Sequence, residues 1–124
     1  MAAPDAQDLI GIWTLASVEI PLEGGGVERP FGDSPTGTIL YLENGTMAVH
    51  VAGSGDAADR LRAYAGPWHM EGSRVVHEVE VSVEPELRGV RLERGAELEG
   101  DRLTYRTVEA QGPGRPVVVW ERVS

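Results

Sequence analysis

The chain has 124 residues, 41% of them hydrophobic and 25% charged, and it contains no cysteine. This composition is typical of one globular domain, residues 1–124, and the lack of cysteine excludes disulfides, thiol catalysis and thiolate metal sites. The formal net charge of −9 argues against nucleic acid and anionic membranes as partners, because both attract basic surfaces.

The N-terminal segment lacks the features of a signal peptide, and no apolar run is long enough to span a membrane. We therefore expect a cytoplasmic protein in which residues 1–8 form a loose leader. Residues 10–20 are apolar and β-favouring, which predicts a first strand. Residues 21–36 are dense in Gly and Pro and predict a long loop, either a floppy connection or a lid over a pocket. Phe31, the only phenylalanine in the chain, lies in this loop and favours the lid.

Asn44-Gly45 separates two apolar segments, residues 37–43 and 46–51, and predicts a β-hairpin. Pairing about a two-residue turn gives one face the larger apolar side chains, which we expect inside: Leu40, Leu42, Met47, Val49 and Val51. The other face then carries the residues that we expect to point outward: Ile39, Tyr41, Ala48 and His50. Residues 56–63 have helical propensity, and they predict one short helix.

Residues 74–83 alternate strictly between two faces, as a half-buried strand does. One face is apolar apart from its histidine: Val75, His77, Val79, Val81 and Val83. A two-residue turn at Gly72-Ser73 pairs this strand with a strand at 64–70, which places Trp68 opposite His77 and Tyr64 opposite Val81. A three-residue turn would instead pair Pro67 with His77 and expose Trp68, so the hydrophobic pattern favours the first register.

Residues 90–98 alternate again, and a turn at Gly100-Asp101 pairs Leu98 with Leu103 and Ala96 with Tyr105. Both strands share an inward face that contains Arg94, and our register sets Val79 opposite Arg94, with His77 diagonal to it. Gly112-Pro113-Gly114 precedes a last strand at 117–123.

The chain is therefore predicted to be all-β, with about eight antiparallel strands, hairpin connections and one short helix. A two-layer sandwich is an alternative. An up-and-down barrel with adjacent first and last strands is favoured, because closure leaves no exposed edge.

Gly11-Ile12-Trp13 on the first strand and Arg122 on the last resemble the lipocalin signature, in which the arginine packs over the tryptophan at the barrel base. The wider pattern resembles the small bacterial lipocalin-like domain family of the calycin superfamily. Its matching segments occur in order along nearly the whole chain: Leu9-Ile10-Gly11-x-Trp13, Pro30-Phe31-Gly32, Asn44-Gly45-x-Met47, Ala63-Tyr64-x-Gly66, Val76-His77-x-Val79-x-x-Ser82 and Trp120-Glu121-Arg122. The resemblance implies a closed barrel with an interior pocket. Residues 84–91 depart from it, being short and charged where the family often has an aromatic residue after the proline.

The predicted inward faces bring a few polar side chains together among Val and Leu, which is the usual makeup of a small-molecule pocket. The candidate ligand-binding residues are Phe31, Tyr64, Trp68, His77, Val79, Arg94 and Tyr105. The candidate catalytic residues are His77, Arg94 and Tyr105, since a buried arginine near a neutral histidine would lower the pKa of that histidine. His77 could instead be a core group bonded to a tyrosine or to the backbone, which is the more common role of an inward histidine in a barrel. Arg94 could form a structural ion pair with Glu78 or Glu121, or could close the barrel base in place of Arg122.

Three functions suit such a barrel. It could bind a small, largely apolar metabolite or biosynthetic intermediate, or it could be a cofactor-free cyclase or isomerase of a natural-product pathway. It could also be a structural protein whose interior is full, although many Val and one Phe argue against that. The three histidines fall on different faces, so we expect no metal site, and we expect no cofactor. The sequence identifies neither the ligand nor the oligomeric state, and a homodimer is one arrangement it allows.

Overall fold

A computed structural model describes residues 3–108 and 114–123, in which nearly all regular structure is β-strand. The described strands are β1 Gly11–Pro21, β2 Val27–Glu28, β3 Thr36–Tyr41, β4 Thr46–Ala52, β5 Leu61–Glu71, β6 Arg74–Glu78, β7 Val81–Ser82, β8 Arg91–Glu99, β9 Arg102–Arg106 and β10 Val117–Arg122. A short helix, α1, spans Ala6–Leu9, and single 3-10 turns span Gly55–Ala57 and Pro85–Leu87. Of the turn predicted at 112–114, only Gly114 lies within the described residues.

The strands close into an antiparallel barrel. Neighbours follow the order β10-β9-β8-β6-β5-β4-β3-β1, and β1 pairs back with β10, so the described residues make a ring of eight strands. The short strands β2 and β7 add to β1 and β5. The predicted all-β barrel, with adjacent first and last strands, is confirmed. No helix in the described ranges is long and apolar enough to cross a membrane.

The N-terminal segment closes one end of this barrel. Helix α1 begins with a capping box between Asp5 and Asp8, and Leu9 at its end is fully buried. The Trp13 indole N–H donates to the Leu9 carbonyl at 2.9 Å. Arg122 lies over the Trp13 ring, with its guanidinium carbon 4.3 Å from the ring centroid, and donates to the carbonyls of Asp8 and Ile10. The expectation of a loose leader is therefore wrong for residues 5–8, which are held by the signature residues at the barrel base.

The hairpin between β3 and β4 differs from the predicted one by a single residue. Tyr41 pairs with Met47, and Gly45, at φ +88°, completes a three-residue turn over 43–45. A glycine in this conformation favours such a turn, and one residue of slip turns every side chain of β3 to the other face. Ile39 and Tyr41 consequently point inward and are buried, whereas the prediction placed Leu40 and Leu42 there. On β4 the prediction is confirmed, since Met47, Val49 and Val51 are buried and His50 is exposed.

The pairing of β5 with β6 follows the prediction as far as His77 and then departs from it. Trp68 lies opposite His77, but beyond β6 the chain bulges, and Tyr64 pairs with Ser82 instead of Val81. Val81 and Val83 are 61% and 53% exposed, so the predicted inward face ends at Val79.

Gly66 makes room for this bulge. A Cβ atom at Gly66 would overlap the backbone carbonyl of Glu78, so only glycine, which has no Cβ, allows the two backbones to approach this closely.

Two further elements correct the sequence-based expectations. The helix expected at 56–63 is only the 3-10 turn Gly55–Ala57, because β5 already begins at Leu61, paired with Ala52 of β4. Ladder hydrogen bonds outweigh the modest helical propensity of this segment. The loop 21–36 is also not wholly irregular, since β2 folds back onto the end of β1.

On β8, the pairs of Leu98 with Leu103 and Ala96 with Tyr105 are confirmed. Arg94 lies opposite Val75 rather than Val79, and it remains diagonal to His77.

A candidate ligand site beside a buried histidine–tyrosine chain

The barrel encloses a cavity of about 580 Å³. Its walls include Val18 of β1 and Val118 of β10, whereas Trp13 and Arg122, at the other ends of the same two strands, close the base. The cavity therefore lies toward the barrel end away from α1. Its apolar lining includes Ile39, Val49, Val51 and Trp120. A cavity of this size and character is typical of small-molecule sites, and it counts against an interior filled by the protein's own side chains.

The loop that was predicted to be either a floppy connection or a lid contributes to the cavity wall. Pro30 and Phe31 line the cavity, and the Phe31 carbonyl accepts a hydrogen bond from the Ser54 N–H at 2.9 Å. Ser54 Oγ also accepts from the Ser34 N–H at 3.0 Å. These bonds tie the loop to the segment before β5, so that Phe31 covers part of the cavity.

Four side chains from four strands form a continuous hydrogen-bonded chain at the inner wall. Tyr64 Oη lies 2.7 Å from His77 Nδ1, and His77 Nε2 lies 2.5 Å from Tyr41 Oη. Tyr41 Oη lies in turn 2.6 Å from Tyr105 Oη. All four side chains are buried, and the two end members, Tyr64 and Tyr105, line the cavity together with His77. They meet because each occupies an inward-facing position on its strand, in β3, β5, β6 and β9 respectively for Tyr41, Tyr64, His77 and Tyr105.

Burial keeps this chain uncharged. Desolvation, aided by the positive charge of Arg94, lowers the pKa of His77 to about 3. Burial likewise raises the pKa of Tyr64 to about 12 and raises the pKa values of Tyr41 and Tyr105. At neutral pH the site therefore offers a neutral imidazole and neutral phenols, which bind ligands through hydrogen bonds. A histidine with so low a pKa is a weak general base, because efficient bases have pKa values near the working pH.

Arg94 supplies a positive charge at the cavity. Its side chain is half-buried, and within the described ranges it contacts no carboxylate; its hydrogen bond goes to the backbone carbonyl of Glu93 at 3.0 Å. The ion pairs that the sequence left open for it are not formed, since Glu78 lies near His69 and Glu121 pairs with Arg102. The base-closing role belongs to Arg122.

A second arginine at the cavity, Arg62, is in contrast neutralised. Its Nε lies 2.8 Å from the carboxylate of Glu84, which also lines the cavity. Arg60 also lines the cavity, but it is exposed. Arg94 is therefore the half-buried guanidinium that lines the cavity without a carboxylate partner among the described residues.

Of the predicted site residues, Phe31, Tyr64, His77, Arg94 and Tyr105 line the cavity. Trp68 and Val79 are buried outside its lining. Trp68 packs against Tyr41, with ring centroids 4.6 Å apart, and its indole N–H donates to the Leu42 carbonyl at 3.1 Å. Trp68 thus packs against a member of the hydrogen-bonded chain rather than lining the cavity. Direct ligand contacts by Trp68 and Val79 remain predictions.

The sequence-based prediction missed Tyr41, because the assumed two-residue turn pointed it outward. A three-residue turn at 43–45 would have identified it, since the slip places Tyr41 on the same inward face as Met47. Trp120 of β10 is buried and also lines the cavity. Its Nε1 is a buried side-chain polar atom that has no hydrogen-bond partner among the described residues. The same part of the chain contains no group of three or more His, Asp or Glu side chains placed to hold a metal ion.

Comparison with known protein families agrees with this architecture. The family described as lipocalin-like domain matches residues 10–58 and 52–123, which together cover most of the chain. No curated protein matches the chain. The matched segments include the signature residues at the barrel base and all four members of the buried chain. The protein thus belongs to the lipocalin-like domain family.

Proposed function

We propose that this protein binds a small, largely apolar molecule inside its barrel. The observation that carries the proposal is a cavity of about 580 Å³ in which apolar walls surround a few polar anchors. The neutral chain of Tyr64, His77, Tyr41 and Tyr105 favours binding over acid–base chemistry, because its members keep their neutral forms at physiological pH.

Arg94 indicates the polar group of the ligand. A guanidinium facing an apolar cavity without a carboxylate is costly, because its desolvation is not compensated by a partner. The missing partner is notable in a chain with 20 acidic and 11 basic residues, where carboxylates are in excess. We therefore infer a ligand that carries an oxygen acceptor, either a carboxylate or a carbonyl, close to Arg94.

Two fluorescent probes of nearly equal shape test this proposal. Anilinonaphthalene sulfonate has an apolar body with an anionic group, and N-phenylnaphthylamine is the same body without the sulfonate. Both should bind wild type, and Arg94→Met should weaken the anionic probe roughly tenfold to a hundredfold, the range of a hydrogen bond to a charged group. The neutral probe should bind Arg94→Met as it binds wild type.

Arg106→Met is a matched control, because Arg106 on β9 pairs with Glu97 on β8 and does not line the cavity. A cavity-filling change, Val49→Trp, should weaken both probes. Unchanged binding of both probes to Val49→Trp would mean that they bind elsewhere, and it would contradict the proposed site.

A second candidate is a cofactor-free isomerase or cyclase acting in the same cavity. It is favoured by the chain's two ends, Tyr64 and Tyr105, since neutral phenols held in place can donate to an oxyanion that develops during reaction. Conversion of 3-cyclohexen-1-one to its conjugated isomer is a simple test, because it needs only the transfer of a proton from one carbon to another. Activity that disappears in His77→Ala, while the barrel remains folded, would favour the enzyme. A rate equal to the uncatalysed rate would remove this isomerisation from consideration.

The remaining sequence-based expectations about the cellular context stay predictions. They are the cytoplasmic location, the absence of nucleic-acid and membrane partners, and a homodimer.

A further inference from the structure

The buried chain has one proton more than its hydrogen bonds use. Three phenols and one neutral imidazole carry four polar hydrogens, whereas three hydrogen bonds connect the four groups. Because Tyr41 and His77 lie between other members, the extra hydrogen resides at one of the two ends. Both ends line the cavity, so the extra hydrogen is available to a ligand.

Only two arrangements fill all three bonds. When His77 carries its hydrogen on Nδ1, it donates to Tyr64, Tyr41 donates to Nε2, and Tyr105 donates to Tyr41; the free O–H is then on Tyr64. When His77 carries it on Nε2, it donates to Tyr41, Tyr41 donates to Tyr105, and Tyr64 donates to Nδ1; the free O–H is then on Tyr105. Any mixed arrangement places two lone pairs or two hydrogens in contacts of 2.5–2.7 Å, which is strongly unfavourable.

We propose that Tyr41, which does not line the cavity, acts as a positioning residue that couples Tyr64 to Tyr105, so that one donates to the ligand whenever the other can only accept. The switch between the two states is the tautomer of His77. No charge is created by the exchange, since each state contains the same neutral groups.

This coupling deepens the proposed binding function, on which the ligand assignment rests. One end of the chain presents a donor and the other an acceptor, and the complementary ligand therefore carries both an acceptor and a donor. An apolar compound with a carbonyl or carboxylate oxygen and a hydroxyl fits this pattern, and it also satisfies Arg94.

The tautomer of His77 can be observed directly by long-range proton–nitrogen NMR, since the protonated and bare ring nitrogens have well-separated 15N shifts. In Tyr105→Phe, the Tyr41 hydroxyl is left with His77 Nε2 as its acceptor, so His77 should be in the Nδ1–H form. In Tyr64→Phe, an N–H on Nδ1 would have no acceptor, so the Nε2–H form should prevail. The two variants are thus expected to hold opposite tautomers.

The same spectra contain internal controls. His50 is exposed and His69 pairs with Glu71 on the outer surface, so the shifts of both should be equal in the two variants. In a Tyr41→Phe background the chain is interrupted, and adding Tyr105→Phe should leave the His77 shifts unchanged. The same tautomer of His77 in Tyr64→Phe and Tyr105→Phe would overturn the coupling. This comparison does not require Tyr41→Phe to fold, because the two single variants only remove a hydroxyl at the cavity wall.

The ligand assignment has its own test. 6-Acetyl-2-naphthol carries a carbonyl acceptor and a hydroxyl donor, and its methyl ether lacks the donor. We expect wild type to bind the naphthol roughly threefold to tenfold more tightly than the ether, the value of one buried hydrogen bond. Equal affinities for the naphthol and its ether would overturn the donor–acceptor assignment alone. If the protein bound none of the naphthol, its ether and N-phenylnaphthylamine, the proposed binding function would be overturned.

Discussion

Removal of the Tyr41 hydroxyl should destabilise the protein more than removal of either other hydroxyl in the chain. Tyr41 is fully buried, and its Oη makes two short contacts, 2.5 Å to His77 Nε2 and 2.6 Å to Tyr105 Oη. Phenylalanine fills the same space, so Tyr41→Phe removes hydrogen bonds without creating a cavity. Two net hydrogen bonds at about 1–1.5 kcal/mol each predict a loss of about 2–3 kcal/mol.

Thermal unfolding followed by circular dichroism measures this loss. With an unfolding entropy of about 2.1 cal/mol/K per residue, a chain of 124 residues should lose about 8–12 °C in Tm. Tyr64→Phe and Tyr105→Phe are the matched controls. Each variant loses one hydrogen bond of the chain, and the tautomer of His77 can adjust so that no buried donor is left unpaired, so each should lose about 1 kcal/mol or less. A Tyr41→Phe protein as stable as these controls would refute the assignment of Tyr41 as the central member.

Three further predictions test the charge state, the bulge and the barrel base. The unfolded chain protonates His77 below pH 6.5, whereas the folded protein holds it neutral down to a pKa of about 3, so stability should fall as the pH falls through this window. Between pH 6.5 and 4.5, above the range in which Glu71 contributes, the free energy of unfolding of wild type should fall by roughly 1 kcal/mol for each pH unit of acidification. In His77→Gln the change should be much smaller. An equal pH dependence in the two proteins would mean that His77 is not the group responsible. Gly66→Ala should cost about 3 kcal/mol or more in urea unfolding, because its Cβ meets the Glu78 backbone, while Gly95→Ala, whose Cβ meets only Arg106 O at 3.6 Å, should change stability by less than about 0.5 kcal/mol. Arg122→Met should cost about 2–3 kcal/mol through lost bonds to the Asp8 and Ile10 carbonyls and should speed hydrogen exchange in α1; unchanged exchange would contradict the role of Arg122 in closing the base.

The local sequence pattern alone was enough to predict much of the barrel. Period-2 alternation identified the inward positions of Val75, His77 and Ala96, and the two-residue turns at 72–73 and 100–101 set the pairs that follow them. These features depend on neighbours within a few residues, and burial of one apolar face permits a single register. The opposition of Trp68 and His77, the inward Arg94 and the inward Tyr105 were therefore all predictable.

Other features were decided by contacts between distant segments. The turn at 43–45 has three residues instead of two, and this difference turns Tyr41 inward. Asn44-Gly45 is compatible with both turn lengths, so the sequence left the choice open. The bulge after Glu78 needs the empty space above Gly66, a residue on another strand. The neutrality of His77 and the missing partner of Arg94 arise from burial and from the distance to every carboxylate in the described ranges. Alternation determined which side chains enter the barrel, because the period of a strand is a local property; tertiary packing decided how those side chains share protons and charge, because desolvation and hydrogen bonding join residues that lie far apart in the chain.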